Sequence, residues 1–135
     1  MLYLTRKEHF NAAHRLFNPA WSDEKNEAMF GKCSNKYFHG HNYDLFVTVK
    51  GEPDVDTGLI INAKELSAII RQSVVDKLDH KNLNVEIAFL KGIIPSTENL
   101  ARAIWQELEP HIKGCRLHCV KLFETENIFA EYYGD

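Results

Sequence analysis

Between residues 39 and 50 the chain alternates with a period of two. His39, His41, Tyr43, Leu45, Val47 and Val49 fall on one face, while Asn42, Asp44, Thr48 and Lys50 fall mostly on the other. Only an extended strand sorts side chains this way, with one face turned to a core. Residues 2–17 carry a looser version of the same pattern. Leu4, Phe10, Ala12 and Leu16 share a face with His14, and Thr5, Lys7, His9, Asn11 and Arg15 take the other. Two such half-buried strands require a second layer to cover them, and the sequence supplies helices.

Asn62-Ala-Lys-Glu65 forms a capping box, after which Leu66, Ile69, Ile70, Val74 and Leu78 recur at helical spacing. Pro95-Ser96-Thr97-Glu98 opens a second helix, with a hydroxyl at the cap and an acid in the first turn. Its buried stripe is Leu100, Ile104, Leu108 and Ile112, and Gly114 stops it. Residues 115–124 and 127–133 read as a closing hairpin around Thr125-Glu126, and Cys115 and Cys119, four apart, fall on one face of it as small core residues. The stretches 18–38 and 79–95 read as irregular loops, and long loops in compact domains often carry function. The expectation is an α+β fold of order ββααββ: a four-stranded antiparallel sheet with two helices on one face, forming a single domain over 1–135. Its two open edges invite pairing with further copies, so a homo-oligomer is expected.

Composition narrows the function. With 135 residues and a net charge of −3 there is no basic field for nucleic acid, and no apolar run long enough to span a membrane. The first ten residues lack the apolar core of a signal peptide, and three cysteines without framework spacing fit reduced thiols and the cytoplasm.

Seven histidines are many for this length. His39 and His41 stand two apart on a strand and point the same way, roughly 7 Å apart by strand rise. A third imidazole would complete an open zinc site with a fourth place left for water or substrate. His14, inward on the preceding strand, is the candidate, because an imidazole buried there needs a partner. A satisfied core histidine is the bland alternative. His9 and His111 read as exposed, and His118 as either core or cleft.

Three further groups have chemistry. Cys33 lies between Lys32 and Lys36, six residues before His39, and reads as a base or nucleophile, a fourth metal ligand, or an idle thiol. Asp79-His80 follows the first helix, where a carboxylate can orient an imidazole for proton transfer. Glu124, at a strand end, can accept two parallel N–H bonds from the guanidine-like edge of a heterocycle, or be a plain turn acid. Lys32, Lys36 and Arg15 are either phosphate contacts or solvated surface charges.

Seven segments taken together resemble the 6-pyruvoyl-tetrahydropterin synthase family, which includes the bacterial 6-carboxytetrahydropterin synthases. They are Phe10-Asn-Ala-Ala-His14-Arg-Leu16, Gly31-Lys-Cys33, His39-Gly-His41-Asn-Tyr43, Gly58, Leu78-Asp79-His80-Lys-Asn-Leu83, Pro95-Ser-Thr97-Glu98-Asn99 and Glu124-Thr125. The resemblance implies the tunnelling fold, in which three subunits close their sheets into a barrel and two trimers stack into a hexamer. It implies zinc on His14, His39 and His41, and a 7,8-dihydroneopterin triphosphate substrate accompanied by magnesium. Glu124 would anchor the pterin, aided by Thr97 and Glu98. Cys33 would be the general base, and Asp79 with His80 a second proton-transfer unit from a neighbouring subunit. The Cys-x5-His-Gly-His spacing resembles the pyruvoyl-forming branch rather than the carboxy-forming branch, which releases acetaldehyde. A non-catalytic metal- or purine-binding module on the same fold is the alternative from another class.

Overall fold

A computed structural model describes residues 1–135. The two long alternating segments form β1 (Leu2–His14) and β2 (His39–Gly51), paired antiparallel along their whole length from Leu2 opposite Gly51 to His14 opposite His39. β4 (Arg116–Thr125) pairs with the far side of β2, and β5 (Ile128–Tyr132) closes the hairpin. Phe10, Ala12, Tyr43, Leu45, Val47, Val49, Val120 and Leu122 supply the inner face. The expected sheet is present, with one addition. A two-residue strand, β3 (Lys81–Asn82), runs parallel to β1 opposite Ala12–Ala13, giving five strands in the order β3-β1-β2-β4-β5. Two residues carry no periodicity, so this strand has no signature in the sequence.

The loop over 18–38 is corrected by the structure. It contains a helix, α1 (Asp23–Phe30), followed by a single 3-10 turn over Gly31–Ser34. Periodicity could not reveal α1, because its one buried residue is polar. Asn26 receives the Asn18 backbone N–H at 2.8 Å and donates back to the Asn18 carbonyl at 3.0 Å, while Ser22 caps the first turn. Local hydrogen bonding, not an apolar stripe, holds this segment.

The first predicted helix forms as α2 (Ala63–Ile70), a π-helical turn over Arg71–Val75, and a short α3 (Asp76–Leu78). The interruption has a cause in the sequence. Leu66, Ile70, Val74 and Leu78 are all fully buried and stand at every fourth position. At about 100° per residue an ideal α-helix would rotate such a row away from the sheet by roughly 40° per step. The wider π turn, with its i→i+5 bonding, takes up that drift and keeps the row facing β1. α4 (Thr97–Leu108) packs over β4 and β5 through Leu100, Ile104 and Leu108, and Ser96 accepts the Asn99 N–H as its cap. No helix is long and apolar enough to cross a membrane.

Two further details depart from the simple alternation. A bulge opposite Thr48–Val49 changes the phase of β4, so that Cys119 pairs with Thr48 on the outer face while Leu117 pairs with Val49. Cys115 packs against the core instead, so the two cysteines do not share a face. Glu8 lies on the inner face at 5 % exposure. Ser67 on α2 donates to its carboxylate, and Arg6 and Arg71 pair with it at 3.2 and 3.4 Å. This contact ties α2 to β1 at the start of the π turn. Glu8→Ala, which leaves those donors without their acceptor, should lose about 1–3 kcal/mol in urea denaturation.

Candidate metal centre

The β1–β2 register decides where the histidines meet. His14 stands opposite His39, and Ala12 opposite His41, so residues two apart on β2 and the last residue of β1 turn onto the same inner face. Their ring centroids are 4.6 Å (His14–His39), 5.0 Å (His14–His41) and 5.0 Å (His39–His41) apart. One ligand nitrogen from each lies within 4.8 Å of the others. His14 is fully buried, and its Nδ1 donates to the Pro95 carbonyl at 2.8 Å, just before α4. That bond fixes the tautomer and leaves the Nε2 lone pair pointing into the cluster. His14 Nε2 and His39 Nδ1 are buried without a hydrogen-bond partner. Burial lowers the pKa of both rings, keeping them in the neutral form that binds metal. Two orphaned buried nitrogens and a third imidazole are what a metal-binding site requires, and the residues fit one with an open coordination place.

Glu124 is the fourth group at this point. Its Oε1 is 3.3 Å from His14 Nε2 and 3.6 Å from His41 Nε2, with the side chain 14 % exposed. The Tyr43 phenol lies 3.3 Å from His14 Nδ1, and burial, reinforced by the Glu124 charge, pushes its pKa well up, so it remains a neutral hydroxyl. In the sequence Tyr43 stands in the alternating stripe and in the His39–Tyr43 segment, with no role of its own assigned. The Pro95 carbonyl, a backbone group, left no signal at all.

The other candidates lie around this centre. Cys33 is half-buried in the 3-10 turn, and its carbonyl accepts the Leu16 N–H at 2.8 Å, two residues beyond His14. It does not belong to the convergent ligand group. Thr97 is buried in the first turn of α4, two residues after Pro95, whereas Glu98 is exposed. Asp79 and His80 are brought together, with His80 Nδ1 2.9 Å from Asp79 Oδ2, but they face outward at the β1 edge, where His80 is 80 % exposed. The Asn11 backbone N–H donates to Asp79 Oδ1 at 2.9 Å, and this bond, with help from His80, holds the carboxyl below the usual carboxylate range. His80 has φ +61°, an uncommon left-handed conformation for a non-glycine residue, and its N–H is bonded to the Asn11 carbonyl at 2.6 Å. The pair is therefore clamped to β1 in a defined orientation.

The family model for 6-pyruvoyl tetrahydropterin synthase matches residues 3–135. The chain belongs to the 6-pyruvoyl tetrahydropterin synthase family. A 6-pyruvoyl tetrahydrobiopterin synthase from Dictyostelium discoideum is 47 % identical over 132 residues, covering 98 % of this chain and 96 % of that protein. The structure of Caenorhabditis elegans 6-pyruvoyl tetrahydropterin synthase superposes with a TM-score of 0.93 at 32 % identity, covering 99 % of this chain and 96 % of that one. A 6-carboxy-5,6,7,8-tetrahydropterin synthase from Rickettsia bellii is similar at 25 % identity, over 97 % of this chain and 99 % of that protein. Membership of the synthase family identifies the sheet-and-helix layer as the tunnelling fold and the site as that of a lyase family acting on pterin phosphates.

Proposed function

We propose that the protein is a zinc-dependent lyase that converts 7,8-dihydroneopterin triphosphate to 6-pyruvoyl-tetrahydropterin and triphosphate. The observation that carries this reading is the convergence of three imidazoles, two with unpartnered buried nitrogens, beside the Glu124 carboxylate. A zinc ion on His14, His39 and His41 would supply Lewis acidity toward the substrate's side-chain oxygens. Substrate and product differ by the elements of triphosphoric acid, and the remaining change is an internal shift of hydrogen that needs no external oxidant or reductant. The protein must therefore position the pterin and move protons.

Glu124 accepts two parallel N–H bonds from the pterin's amino-pyrimidine edge. Thr97 and Glu98, in the first turn of α4, flank that edge from the side where Pro95 holds His14. Cys33 takes a proton from the substrate side chain as thiolate. Asp79 orients His80, which moves the second proton. Because this pair is exposed at the sheet edge rather than turned inward, it serves the site of a neighbouring copy in a homohexamer. The enzyme works in the cytoplasm, and the triphosphate travels with magnesium.

Incubating the zinc-loaded protein with 7,8-dihydroneopterin triphosphate, with mass analysis of the pterin and an acetaldehyde assay, tests the reaction. A 6-pyruvoyl product without acetaldehyde is expected. Acetaldehyde with a 6-carboxy product would assign the other branch, and an unchanged substrate would indicate a binding module. The shared site has its own test. Cys33→Ala and Asp79→Asn should each be inactive alone, whereas hexamers reassembled from an equal mixture should regain activity at roughly a quarter of their sites. No recovery on mixing would place the pair and the thiol in one subunit's site.

A further inference from the structure

At five of the seven positions where the backbone takes a positive φ, the chain carries glycine. The two exceptions both stand at the functional site. His80, at φ +61°, is the imidazole of the outward pair, and Phe38, at φ +71°, immediately precedes His39. Histidine tolerates this region, whereas a bulky residue there is an outlier that persists only where its surroundings impose it.

At Phe38 they impose it from both ends. On one side lies the turn that carries Cys33. The Cys33 carbonyl accepts the Leu16 N–H at 2.8 Å, the Ser34 carbonyl accepts Arg15 Nε at 2.7 Å, and the Asn35 N–H donates to the Lys32 carbonyl at 3.2 Å. On the other side His39 must align with His14, the last residue of β1. That strand end is itself fixed, because Asn84 accepts the Arg15 N–H at 2.7 Å and donates to the Arg15 carbonyl at 2.8 Å. Only the residues from Asn35 to Phe38 connect the two. The Asn35 carbonyl accepts the Phe38 N–H at 3.1 Å, and the Asn35 side-chain oxygen accepts the Tyr37 N–H at 2.9 Å, which closes a tight turn on Phe38.

β2 has little other support at this corner. β4 pairs with it only from Asp44 onward, so His39 is held by the end of β1 and by the residue before it. An extended φ of about −120° at Phe38 would rotate the incoming chain by roughly half a turn relative to the ladder. The His39 ring, whose buried Nδ1 has no hydrogen-bond partner, would then no longer face His14 and His41. We propose that Phe38 is a positioning residue of the metal centre: its left-handed backbone, not its ring, aims His39 into the cluster. The assignment rests on the metal reading given above.

Four substitutions that all remove the ring test this role. Glycine and asparagine admit a positive φ, alanine resists it, and valine resists it most. In chelator competition, Phe38→Gly and Phe38→Asn should bind zinc at least as tightly as the wild-type protein. Phe38→Ala should bind it about threefold more weakly and Phe38→Val about tenfold or more. The visible bands of the cobalt-loaded protein, which report ligand geometry, should match wild type in the first two variants and weaken in Phe38→Val. A general loss of packing would lower the urea midpoint of all four and leave their zinc affinities unranked. Equal weakening in all four would give the role to the ring, and equal retention would give Phe38 none; either overturns the proposal. Should Phe38→Val not fold, the glycine and alanine variants, which differ by one methyl group, decide the matter alone. A wild-type protein that takes up neither zinc nor cobalt would remove the metal centre and this role with it. Uptake without the ranking would remove the role and leave the metal centre standing.

Discussion

His14→Ala should release the bound metal and lower turnover roughly a thousandfold, measured by metal analysis of the purified protein and by product formation. Several kcal/mol of charge stabilisation disappear with the ion, and each 1.36 kcal/mol is about tenfold in rate. His14 is the ring with most at stake. It is fully buried, its tautomer is set by Pro95, and its free nitrogen has no hydrogen-bond partner. Truncating a buried ring also leaves a cavity, so His41→Ala, at a ring that is 19 % exposed, provides a second variant in which folding is less disturbed. Stoichiometric zinc retained in either variant would remove that histidine from the site.

Cys33→Ala should lower turnover by about 10²–10⁴-fold, the range for losing a general base, while zinc stays bound. The two readouts separate the roles that the sequence left open. The thiol is carried by a turn bonded to Leu16 and stands outside the ligand cluster, so metal content should not respond. Loss of zinc in this variant would make Cys33 a ligand, and unaltered turnover would make it a bystander.

Much of this site could be read from residue order alone, for a specific reason. A strand's period of two fixes which side chains share a face, so His39, His41 and an inward His14 could be aligned once β1 and β2 were recognised as neighbours. Buried rows at helical spacing likewise gave both large helices, and Asn62 and Ser96 marked their starts. The parts that were not legible lack periodicity. α1 buries no apolar residue, β3 is two residues long, and Glu8 is a charge on a face where apolar residues were expected. The bulge that parts Cys119 from Cys115 shifts the strand's phase at a single point, which an alternation count does not see. Pro95 and Asn84 act on the backbone or through it, and only coordinates reveal such partners.

The widened turn at Arg71–Val75 also sets limits on how this sequence can vary in length. The helix reaches the Asp79–His80 pair only after that extra residue has been absorbed. Inserting one more position there would exceed what the wide turn can absorb and swing everything beyond it by about 100°. Leu78 would leave the core, and the acid–imidazole couple would turn away from β1. Insertions in this family member should therefore accumulate in the 52–59 turn and spare this one helix, even though its outward side chains are free to change.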